Sequence, residues 1–148
     1  MRNASGFTLF ELLVALSLAA VLSGVAISGW RGMRVRWDLK SALTQVALDL
    51  RLTRMRSIVE GRPHRLHFDV PGSHYWREVQ QPNRTYRVDG ESALPAGIQI
   101  LDCTGAGDAI GFQPRGHASP FGRVRLRGAD GTEREIVVSM AGRMRIAP

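Results

Sequence analysis

Nineteen consecutive residues, Leu12 to Trp30, carry no charge, and the run is bracketed by Glu11 on one side and by Arg31, Arg34 and Arg36 on the other. No other feature narrows the fold so far. At a rise of 1.5 Å per residue, ~20 apolar residues cross a hydrocarbon core of roughly 30 Å. The stretch therefore predicts one membrane-spanning helix, a greasy end joined to a soluble remainder. A secretory signal is a poorer fit, because its apolar core is shorter, about 7–15 residues, and is followed by a small-residue cleavage site. Here the polar segment Met1 to Gly6 comes first and the apolar stretch starts at Phe7. With 148 residues in all, the chain has room for one modest domain beyond that helix.

The helical period continues past the apolar run. Leu39, Ala42, Leu43, Val46, Ala47 and Leu50 form one stripe, and Leu48, Leu52, Met55 and Val59 form a second on the other side. Two stripes imply two partners, the chain's own sheet and neighbouring subunits, in an order the pattern leaves open. The intervening Arg31, Arg34, Arg36, Arg51, Arg54 and Arg56 read as a solvated face, with Arg34/Asp38 and Arg56/Glu60 spaced as i, i+4 pairs. Gly61 and Pro63 end the helix, which spans about Phe7 to Glu60, with Gly24, Gly29 and Gly32 as soft points. After Pro63 the period becomes two: Leu66, Phe68 and Val70; Tyr75, Arg77 and Val79; Val124 and Leu126; then the apolar run Ile136 to Met140. Turns are expected at Pro71-Gly72, Pro82-Asn83, Asp89-Gly90 and Asp130-Gly131. A long helix followed by an antiparallel sheet is an α+β lollipop.

Nothing in the chain requires an active site or a cofactor. His64 and His67, with His74 and His117 as further ligands, invite a metal reading, but residues three apart on a strand point to opposite faces. Gly105, Gly107 and Gly111 lack the strand-to-helix setting and the Gly-Lys-Ser/Thr of a nucleotide loop. Ser119 and Ser139 lie in no nucleophile elbow. Cys103 is the sole cysteine, so no intramolecular disulfide and no cysteine-based zinc site can form.

Glu11 is the anomaly of the apolar stretch, since a carboxylate at the centre of a span costs about 2.5–3.5 kcal/mol and is kept with a partner or near the interface. Its setting, Gly6-Phe7-Thr8-Leu9-Phe10-Glu11-Leu12-Leu13, resembles the class III leader junction of type IV pilins and type II secretion pseudopilins. The resemblance implies cleavage by a prepilin peptidase between Gly6 and Phe7 and N-methylation of Phe7. It makes Glu11 the fifth mature residue, the partner of a neighbouring subunit's N-terminal ammonium, and a buried carboxylate and ammonium are each tolerable when paired. Ile136 to Arg145, ending Gly142-Arg143-Met144-Arg145, resembles the terminal strand and Gly-Arg signature of the GspH/FimT pseudopilin family. Thr53-Arg54-Met55-Arg56-Ser57 with Gly61-Arg62-Pro63 is similar to that family's helix exit.

The implied organisation is a cleaved leader at 1–6, a transmembrane half-helix at 7–30, an amphipathic periplasmic half-helix at 31–61 and a β-rich globular domain at 62–148. The implied location is the bacterial inner membrane, single-pass, with the C-terminal domain periplasmic. The implied partners are other pseudopilins or pilins, the prepilin peptidase and the inner-membrane assembly platform. The resemblance implies a structural subunit of the type II secretion pseudopilus, supporting protein export across the outer membrane.

The alternative is a FimT-like minor pilin of a type IV pilus that binds DNA for uptake. Formal charge is +7, spread mildly: residues 31–61 carry +4 of it. Arg123, Arg125 and Arg127 share one strand face, and Arg143 and Arg145 share another. If those strands adjoin, five guanidiniums form a patch able to neutralise phosphates without reading bases. Glu133 and Glu135 lie close by, and exposed strand arginines also serve simply to solubilise a sheet.

Overall fold

The computed structural model describes residues 8–147, without the side chains of 25–36. The leader at 1–6, and with it the Gly6/Phe7 junction, lies outside the described residues. The chain divides into two units, Met1–Arg34 and Val35–Pro148. One helix, α1 (Leu9–Val59), belongs in part to each.

Helix α1 starts at Thr8, whose Oγ1 accepts the Glu11 backbone N–H at 3.3 Å, the N-cap arrangement of a Thr three residues before a Glu. In the first unit, every described side chain from Thr8 to Gly24 is exposed, with leucines, valines and alanines on all sides. A helix that is apolar all round requires an apolar surrounding. Among the described residues no helix is long and apolar enough to cross a membrane. The described side chains of the apolar run stop at Gly24, short of the ~20 residues a span needs, and the rest of the 7–30 segment lies outside them.

The second unit is built on two four-stranded sheets in place of the single one expected. The strands are β1 (His64–Phe68), β2 (His74–Gln80), β3 (Tyr86–Ala93), β4 (Gln99–Cys103), β5 (Ala109–Phe112), β6 (Gly122–Arg127), β7 (Glu133–Val138) and β8 (Met144–Ala147). The first sheet has order β3-β2-β1-β5 and the second β4-β6-β7-β8, with every pairing antiparallel. The alternating residues face inward as expected: Leu66, Phe68, Tyr75, Val79, Val124, Leu126, Ile136 and Val138 are all buried. The first helical stripe, Leu39, Ala42, Leu43, Val46 and Leu50, joins all of these but Val79 in one hydrophobic core. The order that the pattern left open is thereby settled for that stripe.

One expected turn is a different device. Asp89-Gly90 lies inside β3, where the register against β2 slips between Arg77 and Glu78, so that Asp89 is an extra residue. A bulge re-aims the side chain of the residue it inserts. The Asp89 carboxylate accepts from Arg56 Nη1 at 2.5 Å and from Arg77 Nε at 3.3 Å, tying the end of α1 to the first sheet. Arg56 is therefore engaged with Asp89, and Glu60 turns instead to His64. Gly61, at φ +63°, ends the helix in the left-handed region that glycine adopts without strain.

His64 is 1% exposed, with its Nε2 3.1 Å from Glu60. Burial holds its imidazole below the ordinary 6.5; the Glu60 carboxylate and, more weakly, Asp89 oppose this, and Arg56 adds to it. Below that pH the unfolded chain binds a proton that the folded chain resists, so stability is full above it and is lost as the pH falls through the lowered folded value. Thermal unfolding is expected at a lower temperature at about pH 5 than at about pH 7.5, and His64→Leu should flatten the difference. An unchanged slope in the variant would remove His64 as its source.

Candidate functional site

Three surfaces carry the residues singled out in the sequence. The first is the start of α1. Glu11 sits in the first helical turn, where the unpaired amide N–H groups favour a carboxylate. Its side chain is exposed among Leu9, Phe10, Leu12 and Leu13. Among the described residues that carboxylate has no ion-pair partner.

The second surface is the outer side of α1 in the second unit. Leu48, Leu52, Met55 and Val59, the second stripe, are exposed, Val59 to 78%. Trp37, about three turns upstream of Leu48, is 65% exposed and extends it. The polar side chains between the stripes are not all solvated. Arg54 donates from Nε to the Gly116 carbonyl at 2.8 Å, and Ser57 donates to the Arg54 carbonyl at 2.7 Å and the Gln113 carbonyl at 3.2 Å. These bonds fasten the helix end to the segment after β5. Gly142 completes that junction: it is buried at φ +74°, and a Cβ there would lie 2.5 Å from the Gly116 carbonyl oxygen and 3.0 Å from Arg54 Nε. The glycine of the Gly-Arg signature is thus a packing position.

The third surface is the outer face of the second sheet, where the five arginines fall into two groups. Strand β7 lies between β6 and β8, so the two arginine-bearing strands do not adjoin. β7 brings Glu133 and Glu135 between them. Arg123 pairs with Glu135 at 3.5 Å, Arg125 with Asp102 at 2.5 Å and Glu133 at 3.6 Å, and Arg127 with Glu133 at 2.6 Å. Arg127 holds the Glu133 carboxyl below its ordinary value. Three cations and three carboxylates on neighbouring strands make a neutral ladder of exposed pairs, screened by solvent and of little weight in stability. Arg143 and Arg145 differ. Both are exposed, and among the described residues neither guanidinium has a carboxylate partner.

Of the remaining chemistry candidates, His74, His117, Ser119 and Ser139 are exposed, and Cys103 is buried. His67 stacks on Trp76 with ring centroids 4.6 Å apart. Among the described residues no cluster of histidine, cysteine, aspartate and glutamate could hold a metal ion. Burial pushes the Cys103 thiol up to about 11, so little thiolate forms near neutrality.

An apolar helix start bearing one carboxylate, a helix that closes a two-sheet α+β core, and an exposed second stripe define a type IV pilin-like subunit. Residues 1–27 match the prokaryotic N-terminal methylation motif. Residues 42–142 match the type II transport protein GspH family, and the chain belongs to it. The fold is shared with the minor pseudopilin EpsH from the type 2 secretion system of Vibrio cholerae, at 12% identity and a TM-score of 0.61 over 73% of this chain and 94% of that one. It is shared equally with the type IV minor pilin FimU of Pseudomonas aeruginosa, at 19% identity and a TM-score of 0.61 over 76% and 90%. No curated protein sequence matches this one. The GspH family is one of structural pseudopilin subunits and not of enzymes.

Proposed function

We propose that the protein is a minor pseudopilin of a type II secretion pseudopilus, inserted in the inner membrane as a precursor and drawn into a periplasmic filament after cleavage between Gly6 and Phe7. The observation that carries this reading is the Glu11 carboxylate, set on an all-apolar helix start without a partner among the described residues. In an apolar surrounding a carboxylate is kept with a cationic partner, and the N-methylated ammonium of a neighbouring Phe7 has that chemistry. The exposed stripe Trp37, Leu48, Leu52, Met55 and Val59 supplies a second contact surface for neighbouring helices. The filament supports export of folded proteins across the outer membrane, and the prepilin peptidase and the inner-membrane assembly platform act on the precursor.

Glu11→Ala should leave membrane insertion intact and reduce recovery in sheared filaments by roughly tenfold or more, since the neighbour's buried ammonium loses its counter-charge. Recovery equal to the native protein would overturn the reading. The DNA-uptake alternative retains one supporting feature, the uncompensated Arg143 and Arg145. Arg123, Arg125 and Arg127 are already neutralised in place, and affinity for a phosphate backbone depends on the number of phosphates neutralised.

A further inference from the structure

The uncompensated arginines stand beside the apolar end of the same sheet face. Arg123, Val137 and Arg145 lie opposite one another across β6, β7 and β8 and so share the outer face. One step further along, the Ser139 backbone N–H donates to the Arg143 carbonyl at 2.9 Å. Alternation sends Met144 inward opposite Val138 and leaves Arg143 outward with Arg145. Phe121, Arg123, Val137, Ser139 and Met140 line a shallow, open depression of about 500 Å³. Phe121 is 50% exposed and Met140 62%. Adjacent strands are ~4.8 Å apart, so the arginines on β8 and the turn before it stand within one long side chain of the depression's apolar floor. On the rest of this face each arginine meets a carboxylate; among the described residues this end leaves two without one, next to exposed apolar surface.

We propose that this end of the face, centred on Phe121, Val137, Met140, Arg143 and Arg145, is a docking surface for an extended segment of a partner protein in which carboxylates flank apolar side chains. Charge complementarity selects the acidic flanks, because two guanidiniums without counter-charges favour bidentate carboxylate contacts. The apolar floor selects protein over duplex DNA, whose phosphate backbone gains nothing from covering Phe121, Val137 and Met140. A second copy of the chain is a poor occupant, since each copy carries +7 and the carboxylates of this face are already paired. The proposal does not depend on helix-mediated assembly, and its failure would leave the Glu11 test untouched.

The test uses the full-length protein in detergent micelles, with fluorescent synthetic peptides that alternate Asp or Glu with Leu, Phe or Val. The same peptides with Asn and Gln for the acids, and a short duplex DNA, serve as comparisons. At least one acidic peptide should bind roughly tenfold or more tightly than its amide counterpart and than the DNA. An Arg143→Ala/Arg145→Ala double variant should lose that preference. Met140→Ser should weaken binding by a factor that salt does not change, because apolar contact is not screened. Arg127→Ala, on the same face but paired with Glu133, should bind as the native protein does. Absence of any acidic-peptide preference, its persistence in the double variant, or tighter binding of the DNA would each overturn the proposal.

Discussion

Replacing Gly142 with valine will lower the stability of the globular unit by about 3 kcal/mol, from two sources that act together. The residue sits at φ +74°, where a β-branched side chain is a genuine outlier. The added Cβ would also lie 2.5 Å from the Gly116 carbonyl oxygen, a backbone atom that already accepts the Arg54 Nε–H. Relieving the clash means moving the Gln113–His117 turn and breaking that bond. Thermal unfolding of the purified protein should shift downward by on the order of 10 °C. Arg143→Ala, one residue on and exposed, should leave the midpoint within a degree or two, roughly the ±0.5 kcal/mol of an ordinary surface change. The two halves of the Gly-Arg signature would then separate, the glycine holding the fold and the arginine facing outward. A Gly142→Val midpoint equal to the native one would show that the junction yields, and would remove the packing role assigned to the glycine.

Two leucines one side chain apart on α1 should answer differently to the same substitution. Leu50 is 0% exposed within the core shared by the helix and both sheets, so Leu50→Ala leaves a cavity and costs about 3–4 kcal/mol. Leu48 is 56% exposed, and Leu48→Ala should change stability by no more than about 0.5 kcal/mol. In filaments the order reverses for properly folded protein: Leu48→Ala, combined with Met55→Ala, should reduce incorporation although the protein is folded and membrane-inserted. Filament recovery unaffected by the Leu48/Met55 pair would remove the exposed stripe from the assembly surface.

The helix and half of the strands were legible because burial imposes a period on the residues. Leu39 to Leu50 repeat at helical spacing, and Leu66/Phe68, Val124/Leu126 and Ile136/Val138 alternate, each set facing the same core, as Tyr75 does too. Strands β3, β4, β5 and β8 escaped, three of them for identifiable reasons. β5 is buried on both faces, Ala109 to Phe112, so it has no alternation to read. β3 carries Asp89 and Gly90, which signal a turn in any linear reading and form a bulge only because Arg56 and Arg77 are brought to the same carboxylate by tertiary structure. β8 is short and follows a glycine turn that opens a second hairpin. The arginines were visible as a pattern, but their compensation was not. Whether Arg125 meets Asp102 depends on β4 pairing with β6, a contact between residues 23 positions apart in the chain. The Gly-Arg signature and the N-terminal junction were readable as patterns; the packing reason for Gly142 required the loop at Gly116.

The fastening at the far end of α1 bears on mechanics. In a filament whose subunits are held by their helices, a pull on the assembly enters each globular unit along the helix axis and leaves through the sheets. The segment from Leu39 to Leu50 is held by close packing and by the Gln45 and Asp49 hydrogen bonds to Tyr75 and Ala93. The Arg56–Asp89 pair and the Arg54–Gly116 bond add two polar ties at the terminal turns. Such an arrangement acts as a rivet between the last turns of the helix and the first sheet within the globular unit.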